Sequence, residues 1–371
     1  MDWAESAEAI AEVDELLAQV GLDHGRRKTR AGAWKQGERL ARASKSALGP
    51  PKKARPSAGR IPVVRAAGWE KVAWLRHGVS TRAGGVSPIY GKGALNLGWT
   101  QQDDPSNVAR NRSRFLGQVV LGQLAGGAPA RLVTLRQIHS GLIRTVETVD
   151  AADHGLQTPD GRALLRGDGM MTDAPGVMLA VQVADCVPVL VADVRRRAVA
   201  AFHAGWRGTL KRIVERGIGT MRLRYGSRPE DLVAAVGPSI GACCYAVGEE
   251  VRHEFESQFA YADQLFREVY DSDPVREKYP LLFLTARAPG HSNIGPQINL
   301  DLWEANRRQL LDAGLKAGRI TVIGECTACT RLKGGALKYF SHRGESGFTG
   351  RSMGVVGIVQ PNPQLNPHPK P

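Results

Sequence analysis

The stretch between residues 177 and 203 constrains the fold most. Three apolar segments, 177–184, 187–192 and 199–203, follow one another with only a few residues between them. Short apolar runs bounded by turn residues read as strands. Further strands are expected at 232–236, 320–323 and 355–359. Helical periodicity marks 209–224, where Leu210, Ile213, Val214, Ile218 and Met221 share a face behind Gly205 and Gly208. A second helix over 302–313 follows Asp301, carries Glu304 as in a capping box, and stops at Gly314. A short third helix opens at Asp104-Pro105, a good cap and first-turn pair. Strands alternate with helices and no internal repeat is present. The expected fold is α/β (α+β), a single compact domain of mixed β-sheets flanked by helices.

Charge sets the boundaries of that domain. The 371 residues carry a net +14, but residues 26–60 hold 12 basic residues and one acid. That arm is therefore +11, and the other 336 residues together are only +3. An N-terminal helix over 3–20 plus a basic, disordered arm is expected for 1–60, the folded domain for 61–360, and a Pro-rich tail for 361–371. Residues 263–298, rich in Pro, Asp and Gly, read as a surface insertion. The arm could tether nucleic acid through its phosphates; a solvated tail is the simpler expectation. Five cysteines are too few, and an odd number, for a disulfide scaffold, which points to a reducing compartment. Asp2, Glu5 and Glu8 argue against a secretory or transit leader, and no apolar run reaches the roughly 20 residues of a membrane span. A cytoplasmic protein without membrane contact is expected.

The chemistry-bearing residues gather at strand ends. Cys186 sits between two apolar runs, His203 ends the next one, and His139 follows the apolar run 132–135. One thiolate and two imidazoles suit zinc, leaving its fourth tetrahedral position for water or substrate. On spacing alone, an inert buried thiol with two hydrogen-bonded core histidines is the simpler alternative. Asp185 would face away from Cys186 if the strand continued through it. The turn from Gly205 to Gly208, with Arg207, could offer an anion site or be an ordinary tight turn. Arg82, Asn96, Arg343 and Arg351 lie in Gly- and Ser-rich segments that could present groups to phosphate or simply be solvated loops. Cys326 and Cys329 form a CxxC, with Cys243 and Cys244 as a candidate second pair. Adjacent cysteines chelate poorly, so no second metal is expected there, and no thioredoxin-like unit supports a redox role. His77 reads as a strand-end histidine.

Ten segments in order carry a resemblance over residues 77–359. They include STRAGGVS (80–87), LNLG (95–98), RQIHS (136–140), DGMMTDAPGVMLAVQVADCVPVL (168–190), AAFHAGWRGTLKRIV (200–214), AVGPSIGACCYAVGEEV (235–251) and YFSHRGESGFTGR (339–351). With these motifs the chain resembles the YfiH/LACC1-type proteins, purine nucleoside phosphorylases once called polyphenol oxidases or laccase-domain proteins. The resemblance implies a cysteine-hydrolase-like arrangement and a catalytic zinc on His139, Cys186 and His203. It implies phosphorolysis of adenosine, inosine, guanosine and methylthioadenosine, with adenosine deamination as an attributed second activity. Arg82, Asn96, Arg207, Arg343 and Arg351 are the candidate substrate and phosphate contacts. Ser140 replaces a usual Gly, His342 a usual Tyr and Gly344 a frequent Arg, so contacts of the C-terminal loop are expected to differ. Peptidoglycan-precursor editing, or a Cys186/His203 hydrolase, are the alternatives. Nine histidines without an HCH motif argue against a multicopper laccase, and copper is less expected than zinc.

Overall fold

Residues 61–120, 130–147, 157–158, 161–269 and 297–359 are described by the structure, a computed structural model. The expected N-terminal helix, the basic arm, the Pro-rich tail and residues 270–296 of the expected insertion lie outside the described residues.

The central apolar runs are strands buried on both faces, which is why they read as nearly continuous hydrophobic sequence. β1 (Val63–Val64), β2 (Leu75–Ser80), β4 (Arg131–Thr134), β7 (Val177–Val183) and β15 (Ser352–Ile358) form a five-stranded sheet in the order β1-β2-β15-β7-β4. β5 (Ile143–Thr145), β6 (Gly169–Thr172), β8 (Val187–Asp193), β9 (Ala198–Ala204), β10 (Leu232–Val236) and β14 (Ile320–Val322) form a second, six-stranded sheet in the order β14-β10-β8-β9-β6-β5. Both sheets are mixed: β4 pairs parallel with β7, β5 with β6 and β14 with β10, and the remaining pairs are antiparallel.

Strand parity assigns the layers. Leu179 and Val181 of β7 meet Leu190 and Ala192 of β8 and Val199 and Ala201 of β9 in a core between the sheets. The alternate residues Met178 and Ala180 face outward onto Phe115 and Val119 of helix α1 (Pro105–Val120). On the outer face of the second sheet, Val189, Ala200 and Phe202 pack against Val214, Ile218, Phe255 and Leu310. These last come from α3 (Ile213–Tyr225), α4 (Glu249–Gln258) and α5 (Leu302–Asp312). The order is helix, sheet, sheet, helices. Each fully buried Leu or Phe here contributes about 1.5–3 kcal/mol relative to exposure. The sheets approach closely at Gly354, where an added Cβ would lie 2.7 Å from the Pro188 Cβ.

Helix ends follow local chemistry. Asp301 caps α5 by accepting the Glu304 N–H, and Gly314 at φ 94° ends it as expected. Asp104 Oδ1 accepts the Ser106 N–H at the start of α1, which runs 16 residues and so is longer than the short helix expected there. The expected helix over 209–224 is two pieces, α2 (Trp206–Leu210) and α3, parted by Arg212 in the left-handed region at φ 54°. At that break Arg212 bonds Glu215, its i+3 neighbour, and reaches the Gln258 carbonyl at the end of α4. The flanks of the expected insertion join a three-stranded sheet in which β13 (Gln297–Leu300) pairs antiparallel with both β11 (Ala246–Val247) and β12 (Phe266–Val269), and Leu265 and Leu300 are fully buried. Among the described residues no helix is long and apolar enough to cross a membrane.

Candidate active site

Odd-numbered residues of β9 face the other sheet, and His203 continues that parity at the strand's open end. The antiparallel β8–β9 pairing sets Pro188 opposite His203 and so brings Cys186, just before β8, to the same end. His139 arrives from the loop after β4. There the Gln137 side chain donates to the Gln182 carbonyl at 2.8 Å and accepts the Gln182 N–H at 2.7 Å, fastening the loop to β7. The ligand atoms of His139, Cys186 and His203 all lie within 4.8 Å of one another. Cys186 Sγ is 3.9 Å from His139 Nε2, and the two imidazoles meet edge-on at 5.0 Å.

Asp168, just before β6, organises two of the three. Its carboxylate accepts the His139 N–H at 3.0 Å, the Ser140 N–H at 2.6 Å, the Ser140 hydroxyl at 2.7 Å and His203 Nδ1–H at 2.9 Å, and also the Ile138 N–H. Holding the proton on Nδ1 leaves Nε2 of His203 to face Cys186 and His139. Burial works against its charge, yet the bonds from His203 and Ser140 bring the Asp168 carboxyl down to about 2. Sequence reasoning passed over Asp168, although it opens the quoted DGMMTD segment. Ser140, in place of glycine, adds the hydroxyl bond to this network.

Burial also opposes ionisation of Cys186, but the charge of His203, with hydrogen bonds from both histidines, lowers its thiol to about 6. His203 shows the converse: burial disfavours its cation, while Cys186 and then Asp168 raise it to about 9. Each group thus favours the charged form of the other, the thiolate of Cys186 and the imidazolium of His203. A single ion 2.3 Å from sulfur and about 2.0–2.1 Å from nitrogen would separate those atoms by about 3.5 Å. The 3.9 Å observed between Cys186 and His139 is a small side-chain adjustment from that value. The carboxylate-oriented imidazole is the second-shell arrangement expected of a metal ligand. The donor set therefore fits a zinc ion.

Two non-glycine residues in the left-handed region flank the trio, His139 at φ 55° and Asp185 at φ 91°. Strained backbone of this kind persists only where neighbours over-determine it. Asp168 holds the first. The second is held by its own carboxylate, which accepts the Thr327 hydroxyl at 2.7 Å and the Arg343 N–H at 2.6 Å, while the Asp185 carbonyl accepts from Ile240. Asp185 thus positions the C-terminal loop instead of facing away from the site. Gly205 is required for space: a Cβ there would sit 2.7 Å from Cys186 Sγ.

The trio lies in a cleft of about 830 Å³ also lined by Arg136, Arg162, Arg207, Arg343 and Arg351 and by Trp99, Trp206 and Tyr245. Arg207 lies over Trp206 at 4.3 Å and Arg343 over Tyr245 at 5.4 Å. Of the expected phosphate contacts, Arg207, Arg343 and Arg351 reach the cleft and Arg82 and Asn96 do not. Arg82 pairs with Glu345 at 2.7 Å and donates to the Tyr90 carbonyl. Asn96 is fully buried, bonded to Asp103 and to the Arg351 N–H. In this structure both close loops and do not line the cleft. Arg136 and Tyr245, unassigned from sequence, sit beside the His139 and Cys244 positions of the RQIH and CCY motifs. His77 lies away from the cleft, accepting the Ala66 N–H at 2.9 Å against Trp69.

Residues 76–359 match the family described as multi-copper polyphenol oxidoreductase laccase. The chain is 33% identical over 298 residues to the purine nucleoside phosphorylase YlmD of Geobacillus stearothermophilus, spanning 78% of this chain and 95% of that protein. It is 34% identical over 284 residues to a purine nucleoside phosphorylase of Deinococcus radiodurans, spanning 76% and 88%. The crystal structure of the hypothetical protein YfiH of Bacillus licheniformis aligns with a TM-score of 0.63 at 30% identity, covering 79% of this chain and 94% of that one.

Proposed function

This chain belongs to the multi-copper polyphenol oxidoreductase laccase family, the YfiH-type laccase-domain proteins, and from that premise we propose that it is a zinc-dependent purine nucleoside phosphorylase. The observation that carries the reading is the convergence of His139, Cys186 and His203 on a cleft walled by arginines and aromatic rings. Its relatives from Geobacillus stearothermophilus and Deinococcus radiodurans bear the phosphorylase name. Adenosine, inosine, guanosine and methylthioadenosine are the proposed substrates, with phosphate as acceptor.

Zinc held by His139 Nε2, Cys186 Sγ and His203 Nε2 would supply a Lewis acid at its open position. The chain's own groups do the rest. Arg207, Arg343 and Arg351, joined by Arg136, hold phosphate by charge-assisted bonds beside the ribose. The N-glycosidic bond breaks with oxocarbenium character at the anomeric carbon, and the adjacent phosphate stabilises that charge before bonding to it. The bonding electrons leave with the base, which takes up the proton that the hydrogen phosphate gives up as its oxygen bonds to carbon. Tyr245 and Trp206 offer apolar faces to the purine. Asp168 keeps the His203 proton on Nδ1 throughout. Deamination at C6 of adenosine is a proposed second outcome in the same cleft.

The His2Cys donor set is one mononuclear site. Among the described residues His139 and His203 are the only histidines in a potential metal-ligand group, and a laccase needs several further imidazoles for its copper clusters. The Cys186–His203 contact favours one second reading, a cysteine hydrolase in which the Cys186 thiolate attacks and the protonated His203 hands its proton to the leaving group. Purified, metal-quantified protein is incubated with adenosine, inosine or methylthioadenosine, with and without phosphate. Phosphate-dependent release of free base with ribose 1-phosphate is expected, and Cys186→Ala should lose both metal and turnover. Base release by Cys186→Ala at the parental rate would overturn the site assignment. A metal-free enzyme inactivated by alkylation at Cys186 would establish the hydrolase instead.

A further inference from the structure

A second group of potential metal ligands stands apart from the trio. The turn after β10 carries Cys243 and Cys244, and the loop after β14 carries Cys326 and Cys329. β10 and β14 pair in parallel, so both loops leave the same edge of the six-stranded sheet at the same end. A bridge between Ser239 and Cys326 extends the pairing beyond the strands, with Thr327 N–H donating to the Ser239 carbonyl at 3.0 Å. The four sulfurs, more than eighty residues apart in sequence as two pairs, all fall within 4.8 Å of one another. Cys243 Sγ and Cys329 Sγ are 3.6 Å apart, and all four cysteines are free thiols.

We propose that Cys243, Cys244, Cys326 and Cys329 form a closed tetrathiolate site for a single tetrahedral divalent ion of the zinc class, separate from the catalytic cleft. Four sulfurs at about 2.3 Å from one ion lie about 3.8 Å from each other. The observed spacing surrounds one ion and is too tight for a multi-iron cluster. The CxxC is also built to hold a thiolate. Cys326 Sγ accepts the Gly241 N–H at 3.3 Å and further N–H groups of Ala328 and Cys329, donors that suit an anionic sulfur. A divalent cation is what four converging thiols need to deprotonate together. The adjacency of Cys243 and Cys244, poor for chelation on a strand, is accommodated because they lie on a tight turn where Cys244 N–H bonds the Gly241 carbonyl.

Such an ion would be structural, with no open position. It would tie the 241–245 turn to the 326–330 loop. The same turn places Tyr245 in the cleft, and the same loop supplies Thr327 to Asp185. The site therefore braces the cleft wall from behind without touching substrate.

The test is the metal content of the full chain, purified with reductant and without chelator. The parent should carry about two zinc equivalents and Cys186→Ala about one. Cys243→Ser and Cys329→Ser, both at exposed positions, should each fall to about one, and the double variant with Cys186→Ala to nearly none. Because Cys186→Ala reads the catalytic ion separately, failure of one site does not conceal the other. On parent protein stripped of metal, added Co(II) should give the intense charge-transfer absorption of a tetrathiolate, absent from Cys329→Ser. Zinc content unchanged in both serine variants would overturn the proposal. So would a thiol titration of unfolded, unreduced protein showing a disulfide among the four.

Discussion

Replacing Asp168 by Asn changes one oxygen to an amide nitrogen and nothing in size. The carboxylate accepts five groups: the N–H of Ile138, His139 and Ser140, the Ser140 hydroxyl and His203 Nδ1–H. An amide nitrogen can accept none of them. Turned toward Ser140, it opposes the Ser140 N–H; turned the other way, it opposes both the His139 N–H and His203 Nδ1. The milder flip leaves one buried donor unpaired, a loss of about 1–3 kcal/mol in stability. Either flip removes the charge that fixes the His203 tautomer. Loss of such an outer partner weakens metal binding about 10–100-fold, equal to about 1.4–2.8 kcal/mol. Competition against a chromophoric chelator measures the affinity, urea unfolding the stability, and phosphate-dependent base release the activity. Asp168 acts through His203, so metal affinity must move. A variant with reduced stability but parental zinc affinity would refute the positioning role.

Gly205→Ala places a methyl 2.7 Å from Cys186 Sγ; zinc occupancy and turnover should fall at least tenfold while the melting temperature moves little, which metal analysis and calorimetry check. Gly217→Ala puts a Cβ 2.2 Å from the Phe202 ring beneath α3 and should cost about 1–3 kcal/mol in urea unfolding, with zinc content unchanged. His77 is held down to about 4, first by burial and then by the charge of Arg65. The unfolded chain binds that proton near pH 6.5 and the folded chain does not, so stability falls as pH drops from about 6.5 toward 4. The loss reaches about 3 kcal/mol at the lower end. His77→Gln, whose side-chain oxygen can still accept the Ala66 N–H, should show a flatter acid limb in urea midpoints; an unchanged limb would mean that other groups set it.

The central strands were legible because burial on both faces leaves few polar positions between Val177 and Ala204. Short edge strands such as β1 and β11, two residues each, leave no comparable pattern. The break at Arg212 was invisible because apolar periodicity runs straight across it. Cys186 and His203 could be placed at strand ends from their runs alone. Asp168 could not be found, since a carboxylate that collects backbone N–H groups leaves no spacing. Arg82 and Asn96 looked like ligand contacts because loop-closing polar groups and substrate-binding ones share a composition. The four-cysteine group depends on β10 lying parallel to β14, a long-range fact that neither segment carries.

The seam between the sheets has a kinetic consequence. His139 is fastened to the first sheet through Gln137 and Gln182, His203 belongs to the second, and Cys186 sits on the crossing between them. Cys186 and His203 meet through the β8–β9 pairing of the second sheet alone, but His139 joins them only once the sheets have docked. An ion on the trio is then a clasp closed after assembly, absent from the folding transition state. Interactions of that kind leave the refolding rate alone and lower the unfolding rate. The metal proposed for the cleft would thus also set how long the folded protein lasts.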